Sequence, residues 1–234
     1  MTILSLLLSV EFELLERNTQ LTTILLTISL ISTVLVGLST FGVQNLMVSL
    51  IQNFFRLNQK EKEFKEALKV GIGSGALLFL NFIVSFTLCG FLFFQNNFDG
   101  LLTWLISFGI TFSFIILQIF GYRFVAFVSG TKEIVEGISI INKNTWQFGG
   151  ILLLMLSYLW ILDSKNEMIY RIVFISVIGF MVLLRVIKGI LFSLNRRISW
   201  YYFILYLCTL EILPAIVLLK VAVSNLSLGN VMVE

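Results

Sequence analysis

Long apolar runs, broken by short polar turns, set the rhythm of this chain. A hydrocarbon core of about 30 Å needs roughly 20 apolar residues in a helix, and six stretches meet that length. They run over residues 21–40, 70–95, 101–122, 145–162, 170–191 and 199–219. The punctuation between them is short and polar: "NNFDG", "SGTKEIVEG", "LDSKNE" and "NRRIS". The pattern predicts an all-α, polytopic membrane protein with about six transmembrane helices in one membrane domain covering residues 1–234.

The connector between the first two runs has a different period. Val43, Leu46, Met47, Leu50, Ile51, Phe54 and Phe55 recur at i, i+3, i+4 spacing, with Gln44, Asn45, Ser49, Gln52, Asn53 and Arg56 between them. That alternation predicts an amphipathic helix on the membrane surface, too polar on one face to span. A charged segment follows, in which Glu61 can pair with Lys65 and Lys62 with Glu66. Residues 43–66 thus read as a cytoplasmic connector, either simply solvated or docking lipid headgroups or a partner. Residues 1–18 begin with "MTILSLLLSV" and continue through Glu11, Glu13, Glu16 and Arg17. They read as an interfacial or re-entrant segment, and lack the basic start and small-residue cleavage site of a removable signal peptide.

Composition narrows the chemistry. Of 234 residues, 58% are hydrophobic and 12% charged, about half the charge of a soluble domain. The net charge of +3 is too small and dispersed to favour nucleic acid as a partner. The chain has no histidine, which removes Ser-His-Asp and Cys-His catalysis and the common His-ligated haem and zinc sites. No cofactor or metal site is expected. Cys89 and Cys208 both lie in apolar runs and read as small buried hydrophobes. "GIGSG" at residues 71–75 reads as a small-residue packing face, since no Gly-Lys-Ser/Thr ending follows it. Asn81 and Gln118, isolated in apolar spans, suggest interhelical hydrogen bonds.

Basic residues give an orientation. Arg56, Lys60, Lys62, Lys65, Lys69, Lys132, Lys143, Arg196 and Arg197 fall in the odd-numbered loops. Arg17, Lys165, Arg171 and Lys220 fall on the other side. By the positive-inside rule the odd loops are cytoplasmic and both termini periplasmic.

Charges within spans default to functional hypotheses once their depth is known. Arg123 ends the third span; Arg185 and Lys188, at i, i+3, lie near the end of the fifth. All three read as interface anchors able to snorkel. Glu211 is deeper, roughly 18 Å along the helix from Ser199 and about 13 Å from Lys220 at 1.5 Å per residue. A central acidic residue costs about 2.5–3.5 kcal/mol on insertion scales, so Glu211 must face protein or a wet cavity. Pro214 is the only proline in the chain, and it frees the carbonyl of Leu210 from its helical bond. Thr209, a protonated Glu211 or water can satisfy that carbonyl, and Tyr206 lies within the same turns. Glu211, Pro214, Thr209 and Tyr206 therefore form a candidate broken-helix polar site, with Arg185 as its candidate counter-charge.

The stretch "FILYLCTLEILPAIVLLK", with "SFIILQIFGYRFVAFVSG" and "INKNTWQFGGILLL" before it, resembles an uncharacterised family of polytopic inner-membrane proteins of Bacteroidota, catalogued as a domain of unknown function. The resemblance covers most of the chain from about residue 20. It implies Tyr206, Cys208, Glu211 and Pro214 as signature positions and a bacterial inner membrane as the location. It implies no reaction.

Three functions fit these features. The first is a non-enzymatic accessory, assembly or scaffold subunit of an envelope complex, with a membrane-protein partner or a second copy of itself beside the lipid bilayer. The second is a small transporter or ion-conducting subunit with Glu211 as coupling carboxylate. The third, an intramembrane enzyme, lacks the paired carboxylates it would need.

Overall fold

In a computed structural model, residues 19–41, 48, 50–51, 72–95, 100–129, 132–163, 166–195 and 220 are described. Among them the regular elements are five helices: α1 (Thr19–Phe41), α2 (Ile72–Phe94), α3 (Gly100–Ser129), α4 (Lys132–Leu162) and α5 (Glu167–Asn195). Each contains a stretch long and apolar enough to cross a membrane: Gln20–Phe41, Gly73–Phe94, Gly100–Gly121, Asn142–Leu162 and Glu167–Leu191. These coincide with the first five expected spans to within a few residues. The sixth, at 199–219, and residues 1–18 lie outside the described residues.

The turn "SGTKEIVEG" is shorter than its composition suggests. α3 continues to Ser129 and α4 starts at Lys132, so only two residues separate them. Both helices run beyond their apolar stretches, because a backbone already hydrogen-bonded in a helix loses nothing by extending into water. At the other end, Asp163 and Asn166 close the α4–α5 turn. The Asp163 N–H donates to the Leu159 carbonyl at 2.9 Å, and the Asp163 carboxylate accepts from Asn166 Nδ2 at 2.9 Å and from the Tyr170 hydroxyl at 3.1 Å.

α2 and α4 form the centre of the bundle, while α1, α3 and α5 keep most of their surface outward. The core is aromatic: Trp146 packs against Phe79 and Phe82, and Phe174 of α5 lies beside Phe86, Phe93 and Trp160. The outward faces are equally apolar, with Ile24, Leu30 and Val34 on α1 and Leu105, Phe108, Phe112 and Phe120 on α3. Such surface is what lipid tails solvate, and it is absent at this extent from water-soluble monomers. Of the expected amphipathic connector, Leu50 is buried against Leu78 and Ile151, while Val48 and Ile51 are exposed. The remainder of residues 43–66 lies outside the described residues.

Contacts within two helix pairs fix their registers. α2 and α3 are antiparallel, matched through Phe86–Phe114, Thr87–Thr111, Gly90–Ser107 and Phe91–Trp104. α4 and α5 are antiparallel too, matched through Trp160–Tyr170 near their turn and Gly149–Met181 further along.

Candidate functional site

The polar side chains of the spans gather in two layers. The first lies near the middle of the apolar stretches of α1 and α2. The Ser32 hydroxyl donates to Asn81 Oδ1 at 2.6 Å, Ser85 approaches the same oxygen at 3.4 Å, and the two hydroxyls lie 3.3 Å apart. All three residues are buried. Asn81 Nδ2 has no hydrogen-bond partner among the described residues, and it sits 3.0 Å from where a Cβ on Gly150 would be. Nearby, Thr87 donates to Thr111 at 3.2 Å across α2 and α3. The interhelical role expected of Asn81 is realised here. Other hydroxyls on α1 return to their own helix, as when Ser29 and Ser39 donate to the carbonyls of Leu26 and Val36, while Thr33, which donates to the Ser29 carbonyl, also meets the Tyr158 hydroxyl of α4 at 2.9 Å.

The second layer lies toward the α3–α4 turn. Asn142 Nδ2 donates to Gln118 Oε1 at 3.0 Å, and Gln147 Nε2 to the Gly75 carbonyl at 3.4 Å. Thr145 and Ser74 are buried at the same end. Arg185 and Lys188 of α5 are here as well, at 3% and 7% exposure. They lie near the end of the span, as anchors would, but they face protein. Phe174, Met181, Arg185 and Lys188 recur at intervals that keep them on one side of α5, the side packed on α4. Counting one turn from the Gly149–Met181 contact brings Arg185 level with Thr145, and nearly two turns bring Lys188 level with Asn142. Arg123 is exposed, which suits an interface position. Arg171 behaves differently: it pairs with Glu167 at 2.7 Å and covers the Phe93 ring at 5.7 Å, both at the opposite end of the bundle.

Glu211, Pro214, Thr209 and Tyr206 lie outside the described residues, so of the broken-helix site only Arg185 has a described place. The residues that sequence reading passed over are Asn142, Thr145 and Gln147. Their signal was present as a polar run at the start of an apolar span, "NKNTWQ", with Asn142, Thr145, Trp146 and Gly149 on one helical face. Cys89 is buried, its thiol 3.4 Å from the Leu153 carbonyl, as the reading of a small hydrophobe expected.

Five apolar helices, an aromatic core and lipid-suited outer faces define a multi-pass integral membrane protein of the α-helical class. The chain belongs to the family described as domain of unknown function DUF4271, whose model matches residues 4–222. No curated protein and no solved structure matches it.

Proposed function

We propose that the protein is a non-enzymatic accessory, assembly or scaffold subunit of an envelope complex in a bacterial inner membrane, with the α3–α4 turn cytoplasmic and both termini periplasmic. The supporting observation is where the polar groups go. Ser32, Asn81, Ser85, Thr87, Thr111, Gln118 and Asn142 bond helix to helix, the use that membrane helices make of polar residues to fix their packing. The outer face of α3 meanwhile presents Phe108 stacked on Phe112 at 6.0 Å, both exposed, a surface fit for lipid or a neighbouring apolar helix. Native purification from the source membrane should recover a stoichiometric membrane partner. Elution alone and monodisperse, from gently solubilised membranes, counts against the reading.

A second reading, a small transporter or ion-conducting subunit with Glu211 as coupling carboxylate, is favoured by the burial of Arg185 and Lys188. Ionisable residues turned toward a bundle interior commonly mark a substrate or ion path. Under that reading Glu211→Gln abolishes flux in proteoliposomes while the protein stays folded; unchanged flux removes it.

A further inference from the structure

On α2 and α4, buried atoms of Asn81, Asn142, Trp146 and Gln147 have no hydrogen-bond partner among the described residues: Asn142 Oδ1, Trp146 Nε1, Gln147 Oε1 and Asn81 Nδ2. They follow one another along the α2–α4 seam. Asn142, Trp146 and Gly150 recur at i, i+4 spacing on one stripe of α4, and Trp146 packs on Phe79 and Phe82 of α2. Gln147 lies against Gly75, and Asn81 Nδ2 comes to 3.0 Å from the Cβ position of Gly150. Counted from the ends of the apolar stretches at Asn142 and Gly73, Gln147 is about 7.5 Å deep and Asn81 about 12 Å. The orphan atoms thus begin at the α3–α4 end of the bundle and reach well into the span.

Turning the amides over does not remove the demand. Asn142 Nδ2 donates to Gln118 Oε1 and Gln147 Nε2 to the Gly75 carbonyl, and reversing either would set two oxygens face to face. Reversing Asn81 orphans its oxygen in place of its nitrogen. Hydrocarbon offers nothing to such groups, so each needs a partner brought into the bundle. The set defines that partner. Two acceptors and two donors, none of them charged, call for a neutral molecule that both donates and accepts. The seam is also narrow, since a Cβ on Gly150 would already stand 2.8 Å from the Phe82 backbone. Water meets both conditions, and a buried water typically makes about three hydrogen bonds to such groups. Further along, the seam becomes apolar: the Cys89 thiol lies 3.4 Å from the Leu153 carbonyl, among the buried side chains of Leu88 and Leu92. Beyond Asn81 no further orphan atom of α2 occurs among the described residues, nor any of α4 beyond Gln147.

We propose that water enters the α2–α4 seam from the α3–α4 end and is held between Asn142 and Asn81, in a one-sided vestibule sealed beyond Asn81 by Leu88, Cys89, Leu92 and Leu153. The bound waters donate to Asn142 Oδ1 and Gln147 Oε1 and accept from Trp146 Nε1 and Asn81 Nδ2. They carry polarity from one membrane face to the Ser32–Asn81–Ser85 cluster and no further. The site is independent of the scaffold and transporter readings, since either kind of protein accommodates it.

The test is hydroxyl-radical footprinting of the full-length wild-type protein by X-ray radiolysis of its water, in detergent or lipid nanodiscs, with modification read by mass spectrometry. Radicals form where water is and oxidise the side chains beside it. Trp146 should be modified readily although it is buried. Cys89, on the same helix pair and with a thiol more easily oxidised than an indole, should stay unmodified at the same dose. An unmodified Trp146 overturns the proposal, and so does modification of Cys89 at a rate equal to that of Trp146, which would mean that the seam is not sealed. Gln147→Leu removes one of the water's partners without touching the Trp146 ring contacts to Phe79 and Phe82. It should slow Trp146 modification several-fold; an unchanged rate would mean that the radicals arrive from bulk solvent, and overturns the proposal as well. If Gln147→Leu does not accumulate, the wild-type contrast between Trp146 and Cys89 decides.

Discussion

A Cβ placed on Gly150 would stand 2.8 Å from the Cα of Phe82, so α4 and α2 meet there backbone to backbone. Close approach of this kind is how membrane helices gain packing where water supplies no driving force between them. Phe82 is main chain at the point of contact and cannot swing aside. Gly150→Ala should therefore destabilise the protein by about 1–3 kcal/mol, the usual range for overpacking. Gly179, with nothing within 4 Å of its Cβ position, is the control. There alanine should be neutral or stabilising by about 0.5–1 kcal/mol, through helix propensity. Unfolding midpoints of both variants in one detergent check the contrast.

Gly149 presents the same question with a different neighbour. Its Cβ position falls on the Met181 side chain, at Cε and Sδ. A thioether chain can move, so the clash is relieved by shortening or rotating Met181. Gly149→Ala should be destabilising alone and substantially rescued by Met181→Ala, which vacates the space the new methyl needs. The double-mutant cycle should show a favourable coupling of about 0.5–3 kcal/mol, the range seen for residues in contact. Additive effects would mean the two residues do not share that space.

Asn81 joins α1 to α2 through one oxygen that accepts from Ser32 and faces Ser85. Replacing it with leucine leaves two buried hydroxyls without their shared acceptor, although each can turn back to its own helix. The expected cost is about 0.6–2 kcal/mol, modest because the unfolded state in a membrane also finds partners. In the Ser32→Ala/Ser85→Ala background the same Asn81→Leu change should cost less. Reversible unfolding in mixed micelles measures both.

The five described spans were legible because an uninterrupted apolar run of 20 residues has few alternatives in a folded chain. Rotation of each helix was not legible. Leu30 faces outward and Leu25 inward on α1, yet both are leucines, since lipid and protein interior make nearly the same demand on a side chain. The same blindness affects Arg185 and Lys188. Depth arithmetic places them along α5 but not around it, and the Gly149–Met181 and Trp160–Phe174 contacts show that their stripe faces α4. Asn142, Thr145 and Gln147 escaped notice for another reason: polar residues at the start of a span look like ordinary interface residues until their burial is known.

The proposed orientation rests on the distribution of basic residues and can be checked at the two turns. With the α3–α4 turn cytoplasmic, the α4–α5 turn at Asp163 and Asn166 faces the periplasm. In a background lacking Cys89 and Cys208, Asn166→Cys should react with a membrane-impermeant maleimide added to spheroplasts, because Asn166 is exposed. Lys143→Cys, also exposed but at the opposite end of α4, should react only after permeabilisation. The reverse pattern inverts the topology.

The α2–α3 hairpin makes the most exacting demand on register. Thr87 and Thr111 bring their Oγ1 atoms within 3.2 Å, and one turn away Gly90 lies against Ser107. Side chains this close on antiparallel helices are within reach of a disulfide, which needs Cβ atoms about 3.5–4.5 Å apart. Thr87→Cys with Thr111→Cys, in the same cysteine-free background, should cross-link in membranes under a mild oxidant. Placing the second cysteine two residues away, at Ser113, carries it about 200° around α3 and should abolish the product, since successive residues turn by about 100°. Protease cleavage between residues 95 and 100, followed by reducing and non-reducing gels, distinguishes the linked from the unlinked hairpin. Cross-linking at Ser113 rather than Thr111 would mean that α3 is rotated away from α2, and with it the face of Gln118 that meets Asn142.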